Sequence, residues 1–105
     1  MKIGIISDTH KKVNRAKKAI DLLISDGVEY ILHAGDIVQK EILEYLENQI
    51  PYIAVFGNND YHLYRDIDKY KLVYEAHKFT LDKHSFKLMH HPTKMFPLDT
   101  EIVIY

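Results

Sequence analysis

The regular alternation of short apolar runs with amphipathic segments in the first half of the chain most constrains its fold. Three apolar runs of strand length occur, at residues 3–6, 28–33 and 52–56. The segments between them, 14–26 and 37–49, carry apolar residues at helical spacing, and Asn14 is the expected N-cap of the first. The order strand, helix, strand, helix, strand predicts an α/β fold with a parallel sheet and right-handed crossovers.

The second half follows a different pattern, in which short strands replace the helices. Residues 72–74 predict a short strand, and residues 101–105 predict a final one. Between them, apolar residues alternate with polar ones on both sides of residues 82–84, which predicts a β-hairpin with a short loop. Because the chain has 105 residues and no linker or repeat, we expect one domain over residues 1–105.

Composition excludes several classes of protein. The net charge of −1 gives no field that would attract nucleic acid or an anionic membrane. The absence of cysteine excludes disulfides and thiolate catalysis. No apolar run approaches the roughly 20 residues of a membrane span, and the first residues lack a signal-peptide pattern. We therefore expect a cytoplasmic protein.

Polar residues follow the ends of the predicted strands. They are Asp8 and His10 after the first strand, Asp36 after the second, Asn58, Asn59 and Asp60 after the third, and His90 after the hairpin. Since ligands bind outside the carboxyl ends of parallel strands, these side chains should converge. Asp8 and His10 should point to the same side if the extended backbone continues past the strand.

This mixture of carboxylate, amide and imidazole groups predicts a metal site. Oxygen and nitrogen ligands together suit Mn, Fe, Zn, Co or Ni better than calcium. Two carboxylates in one site would repel each other, and a divalent cation removes that conflict.

The ordered series Asp8-x-His10, Gly35-Asp36, Gly57-Asn58-Asn59-Asp60 and a strand-end His90 resembles the calcineurin-like metallophosphoesterases. The likeness is greatest to their small single-domain prokaryotic phosphodiesterases, and it implies an αββα sandwich. It also implies two divalent ions, with manganese first among the candidates. The implied ligands are Asp8 and His10 for one ion, Asn58 and His90 for the other, and Asp36 as a bridge. Asp60 would hold the loop or orient His10, and Gly57 would allow the sharp turn that presents Asn58.

The resemblance implies a phosphodiesterase that activates water for attack on phosphorus in a small phosphate ester. Members carry a later Gly-His-x-His, placed after a strand like residues 101–105, whose two histidines complete the metal ligands. This sequence stops at Tyr105, so we expect a C-terminally incomplete domain, and the two missing ligands leave activity open. Asn59 is the candidate catalytic residue, at a position where many members carry a histidine as general acid. An amide cannot serve as that acid at pH 7.

Other interpretations remain at this stage. The chain could be a catalytically impaired remnant that acts as a metal-binding or protein-interaction module. A nuclease is disfavoured because no basic face is evident. The apolar edge strand at 101–105 favours pairing with another strand, so a homo-oligomer is a further expectation. His33 is interpreted as a core histidine, and Lys11 and Lys12 as solvated helix residues with at most a minor role in holding phosphate.

Overall fold

The first sheet is parallel throughout and presents all its strand ends at one edge. The structure is a computed structural model that describes residues 1–92 and 95–105. Four strands lie in sequence order in this sheet: β1 (Ile3–Ile6), β2 (Tyr30–His33), β3 (Tyr52–Val55) and β4 (Leu72–Val73). Each strand pairs in parallel with the next. The predicted βαβαβ half is confirmed.

The two α-helices cover one face of this sheet. They are α1 (Val13–Ser25) and α2 (Lys40–Gln49). Ile20 and Leu46 of their apolar stripes are fully buried in one cluster with Ile31 of β2. Burial of each such side chain stabilises the fold by about 1.5–3 kcal/mol. Among the described residues, no helix is long and apolar enough to cross a membrane.

The second sheet covers the opposite face. It contains β5 (His77–Leu81), β6 (His84–Leu88) and β7 (Ile102–Ile104), in that order. Asp82 and Lys83 join the antiparallel β5 and β6 with φ values of 50° and 69°, as in the tight two-residue turns of hairpins. β7 runs parallel to β6. Leu32, Val55, Phe86, Leu88 and Ile104 form an apolar cluster between the sheets, in keeping with the predicted sandwich.

Two helix starts differ from the prediction. The first helix begins at Val13, so Asn14 lies inside it and does not cap it. The second begins at Lys40, because Gln39 N–H donates to Ile37 O over 2.7 Å in a tight turn around Val38. A 3-10 helix, Tyr61–Asp66, follows the loop after β3. The late start of α2 leaves Asp36 free of any helix-capping role.

Candidate metal centre

Asp8, His10 and Asp36 converge at the carboxyl edge of the first sheet. One nitrogen or oxygen ligand atom from each lies within 4.8 Å of the others. His10 Nε2 lies 3.3 Å from Asp36 Oδ2 and 3.6 Å from Asp8 Oδ1. Asp36 is buried, whereas Asp8 and His10 are exposed. The three side chains therefore form a cluster that a cation can enter from solvent, and we call it the first half-site.

The backbone of the first half-site is left-handed and not extended. Asp8, His10 and Asp36 have φ values of 54°, 48° and 58°. Asp8 N–H donates to Gly35 O over 2.9 Å, and His10 N–H donates to Asp36 O over 3.1 Å. The expectation that strand alternation aligns Asp8 with His10 is therefore wrong. A turn brings them together, since β1 ends at Ile6 and the loop then bonds to the loop after β2.

Asn58 and His90 lie on the other side of Asp36, and we call them the second half-site. His90 Nε2 lies 3.0 Å from Asn58 Oδ1 and 3.5 Å from Asp36 Oδ1. His90 Nδ1 lies 2.8 Å from Ala34 O. Because a carbonyl only accepts hydrogen bonds, the proton of the neutral ring is on Nδ1, and the lone pair on Nε2 faces the two oxygens.

Asp36 joins the two half-sites. Asn59 donates to it twice, from the backbone N–H to Oδ1 over 3.1 Å and from Nδ2 to Oδ2 over 3.0 Å. Burial alone raises the pKa of Asp36, but the hydrogen bonds from Asn59, and the nearby His90 and His10, lower it below its ordinary value. The carboxylate is thus kept deprotonated, as a metal ligand must be. Asn59 contacts Asp36 as a hydrogen-bond donor.

Asp60 holds the loop and does not contact His10. Its side chain is fully buried and accepts hydrogen bonds from the backbone N–H groups of Ile37, Val38 and Gly57 over 2.7–3.1 Å. These bonds tie the loop after β2, which carries Asp36, to the loop after β3, which carries Asn58. Of the two roles considered for Asp60, the structure shows the first.

Gly57 is required for close approach and not for a turn. A Cβ at this position would lie 2.2 Å from both the backbone N and Oδ1 of Asp36. The loop after β3 therefore passes directly against the residue that joins the half-sites. Gly35 is similarly constrained, because its φ is +98° and a Cβ there would lie 2.8 Å from His90 Nδ1.

His33 is a core histidine, as expected. It is fully buried, and its Nδ1 accepts a hydrogen bond from Gly35 N–H over 3.1 Å. Nε2 must then carry the proton and donate to Thr9 Oγ1, which lies 3.0 Å away. Burial lowers the pKa of His33 to about 4. The neutral ring thereby fixes Thr9, the residue between Asp8 and His10.

Glu75 contributes to the second half-site, although no sequence pattern indicated it. Its Oε2 accepts hydrogen bonds from His90 N–H over 2.6 Å and from His91 N–H over 3.0 Å. Glu75 follows β4 in the first sheet, whereas His90 follows β6 in the second. The carboxylate therefore connects the two sheets next to a candidate metal ligand. Its isolated position in an irregular stretch offers no pattern from which this role could be predicted.

Among the described residues, cavities adjoin both half-sites of the centre. One, of about 410 Å³, is lined by His10 and Asn59 together with Lys11, Lys12 and Val38. The other, of about 200 Å³, is lined by Asn58 and by aromatic side chains of Phe56, Tyr61 and Tyr74, with Gly57, Glu75 and His91 completing its wall. The first offers positive charge beside the first half-site, and the second offers ring surface beside the second.

The groups present fit divalent cations. Asp8 and Asp36 place two carboxylates close together, and among the described residues neither forms an ion pair with a lysine or arginine. In the second half-site, His90 Nε2 lies 3.0 Å from an amide oxygen of Asn58 and 3.5 Å from a carboxylate oxygen of Asp36. Nitrogen and oxygen ligand atoms that converge in this way are the arrangement that a cation stabilises. The nitrogen and oxygen donors match the borderline divalent metals.

Sequence similarity relates most of the chain to known proteins. The model for the calcineurin-like phosphoesterase superfamily domain matches residues 1–103. A phosphodiesterase of Methanocaldococcus jannaschii is 43% identical over 61 residues, which cover 57% of this chain and 37% of that protein. A probable metallophosphoesterase of Methanothermobacter thermautotrophicus is 44% identical over 64 residues, which cover 59% of this chain and 37% of the relative. The matched part of the chain thus spans little more than a third of either relative.

Solved structures show the same fold. A structure described as a novel archaeal phosphodiesterase superposes with a TM-score of 0.79 at 30% identity, over 100% of this chain and 72% of that one. The Escherichia coli phosphoesterase Yfce superposes with a TM-score of 0.70 at 21% identity, over 87% of this chain and 58% of that one. The second likeness concerns the fold alone.

Proposed function

This chain belongs to the calcineurin-like phosphoesterase superfamily, and from that premise we propose that it hydrolyses small phosphodiesters with two divalent ions. The family implies divalent metals, and we take manganese as the first candidate, with Fe, Zn, Ni or Co as possible replacements. Phosphodiesters are favoured because a phosphodiesterase is among the relatives that share sequence with this chain.

The position of Asp36 between the half-sites carries the proposal. Its Oδ2 lies 3.3 Å from His10 Nε2, and its Oδ1 lies 3.5 Å from His90 Nε2. One carboxylate thus offers a different oxygen to each side. Asp8 and His10 would hold one ion and Asn58 and His90 the other, with Asp36 shared between them.

The protein's own groups then have distinct tasks. Divalent ions, when bound, supply the charge that activates water and stabilises the phosphoryl group during displacement. Asn59 keeps both oxygens of Asp36 oriented through its two hydrogen bonds. Lys11 and Lys12 provide positive charge in the cavity next to His10, where a substrate phosphate would be attracted. Asn59, having an amide, would act by positioning Asp36 and not as a proton donor.

Hydrolysis of bis(4-nitrophenyl) phosphate with manganese tests this function. We expect metal-dependent turnover that a chelator abolishes, together with bound manganese by elemental analysis. Asp36→Asn should lower both the metal content and kcat/KM, and kcat/KM should fall by at least about 100-fold. Loss of a residue that only hydrogen-bonds to a metal ligand costs about 10–100-fold, and loss of a ligand itself should cost more. Asp68→Asn, at an exposed aspartate, is the matched control. A wild-type chain without bound metal, or an Asp36→Asn variant with unchanged turnover, would contradict the proposal.

We also retain a proposed homo-oligomer. β7 pairs with β6 on one side, and in the described part of the chain no strand pairs with its other side. A second copy could add a strand there. The expectation that nucleic acid is not a partner likewise remains a prediction.

A further inference from the structure

An aromatic cluster lies beside the second half-site and is unusually exposed. Tyr61, Tyr64 and Tyr74 have exposed fractions of 79%, 61% and 56%. Tyr74 is stacked on the buried Phe56, with ring centroids 5.1 Å apart, and lies 6.3 Å from the ring of Tyr64. Tyr61 stacks on no other ring among the described residues. Exposed apolar surface that is concentrated in one place is typical of a binding surface.

Two rings of the cluster, those of Tyr61 and Tyr74, line a cavity that adjoins the second half-site at Asn58. Tyr61, Tyr74 and Phe56 line this cavity of about 200 Å³, and Asn58 belongs to both the cavity and the second half-site. About 150 Å³ is enough for a single benzene ring. A ring attached to a phosphorus atom at the centre would therefore have space beside Asn58.

The polar residues of the cavity wall do not repel an anionic phosphate ester. Glu75 is its only carboxylate among the described residues, and Oε2 accepts the backbone N–H groups of His90 and His91. Oε1 lies 3.4 Å from His91 Nδ1. The carboxylate of Glu75 thus faces these hydrogen-bond donors. The exposed faces of Tyr61 and Tyr74 remain for contact with a ligand.

We propose that this cavity is a subsite for an aromatic ring carried by the substrate, so that the chain prefers phosphate esters of aryl or nucleoside type. The proposal rests on the proposed phosphoesterase function, since the metal centre would hold the phosphate. Tyr61 and Tyr74 are the specificity-determining residues. Two aromatic rings in stacked or edge-on contact gain binding free energy beyond that from the area they bury. Alkyl groups of the same size do not gain this additional free energy.

Binding of phosphonates tests the subsite without any turnover. Calorimetry with manganese present would compare phenylphosphonate with cyclohexylphosphonate, which has a similar size but no aromatic ring, and with methylphosphonate, which has no ring. We expect phenylphosphonate to bind about 2- to 10-fold more tightly than cyclohexylphosphonate. Tyr61→Ala or Tyr74→Ala should weaken phenylphosphonate about 5- to 100-fold, the range seen when a stacking ring is removed.

Two controls separate the effect of the tyrosine ring on binding from effects on the fold and on the metal centre. Tyr61→Phe keeps the ring and should keep the preference, whereas methylphosphonate should bind equally to all variants. Equal binding of phenylphosphonate and cyclohexylphosphonate, a preference that persists in both alanine variants, or binding of methylphosphonate that is at least as tight as that of phenylphosphonate would overturn the subsite. Failure of the phosphoesterase proposal would instead appear as absent hydrolysis of bis(4-nitrophenyl) phosphate together with no binding of methylphosphonate.

Discussion

The two half-sites of the metal centre are built in different ways. The first comes from loops that follow neighbouring strands of one sheet, and backbone hydrogen bonds such as Asp8 N–H to Gly35 O position it. The second joins Asn58, after a strand of the first sheet, to His90, after a strand of the second. It depends on Ala34 O, which contacts the imidazole, and on Glu75, which accepts the backbone N–H of His90. Damage to the contact between the sheets should therefore affect one half-site and spare the other.

The loss of Asp60 should have the largest effect, because it supports both half-sites. Asp60→Ala would leave three backbone N–H groups without their acceptor, two of them buried. A buried donor without an acceptor costs about 1–3 kcal/mol, so we expect the free energy of unfolding to fall by about 3–5 kcal/mol. Denaturant unfolding would measure this loss, and the metal content of both half-sites should fall together.

Two variants make the Asp60 experiment sharper. Asp60→Asn keeps an acceptor oxygen and should lose less stability, whereas Asp68→Ala, at an exposed position nearby in sequence, should lose almost none. If Asp60→Ala unfolded at the same denaturant concentration as the wild type, Asp60 would not be the link between the half-sites.

The next largest effect concerns pH and His33, whose ring contacts Thr9 of the loop that carries Asp8 and His10. The folded-state pKa of His33, about 4, lies below the ordinary value of 6.5, because the ring is fully buried. The unfolded chain therefore binds the proton first as pH falls, and stability contributed by neutral His33 is present above pH 6.5 and lost towards pH 4. The loss amounts to about 3 kcal/mol over that window.

Unfolding free energies between pH 7 and pH 4.5, measured with a chelator present, check this dependence. His33→Asn keeps an acceptor for Gly35 N–H, and it should flatten the pH dependence. His84→Asn removes an exposed histidine whose ion pair with Glu101 lies at the surface, and it should change the pH dependence far less than His33→Asn does. A wild-type curve that is flat between pH 6.5 and pH 4.5 would show that His33 does not titrate as described.

The smallest effect, and the most selective, should come from Glu75→Gln. The substitution keeps the shape of the side chain but weakens the hydrogen bonds to the backbone of His90 and His91. Loss of such an outer partner costs about 10–100-fold in metal affinity. Manganese titration should therefore show one weakened ion and one unchanged ion. Equal weakening of both would mean that the half-sites are not separately supported.

The sequence predicted the parts of the centre that follow from strand order. Asp8, Asp36 and Asn58 each come directly after an apolar run, and parallel strands bring such ends to one edge. The hairpin was predictable because side chains alternate along a strand, which located His90 at its end. These arguments use local pattern alone, so they identify which residues meet but not how the backbone brings them together.

The remaining features depend on contacts between segments distant in sequence. Two such contacts are the close approach of Gly57 to Asp36 and the hydrogen bond from His90 N–H to Glu75. They form only when the loops and sheets pack, so no local sequence pattern predicts them. The start of α2 was misplaced for the same reason, since Asp60 takes the N–H groups of Ile37 and Val38 from another loop.

The left-handed backbone of the first half-site restricts the chemistry available to any redesign. Asp8, His10 and Asp36 all have positive φ, a conformation in which asparagine, aspartate and histidine are the most common residues apart from glycine. Those three residue types are also oxygen or nitrogen donors to metals. A protein engineer who wished to change the metal preference could therefore exchange them at positions 8 and 10, where backbone bonds hold the loops. Bulky or branched residues at these positions would strain the backbone of the loops, whatever ligand was bound.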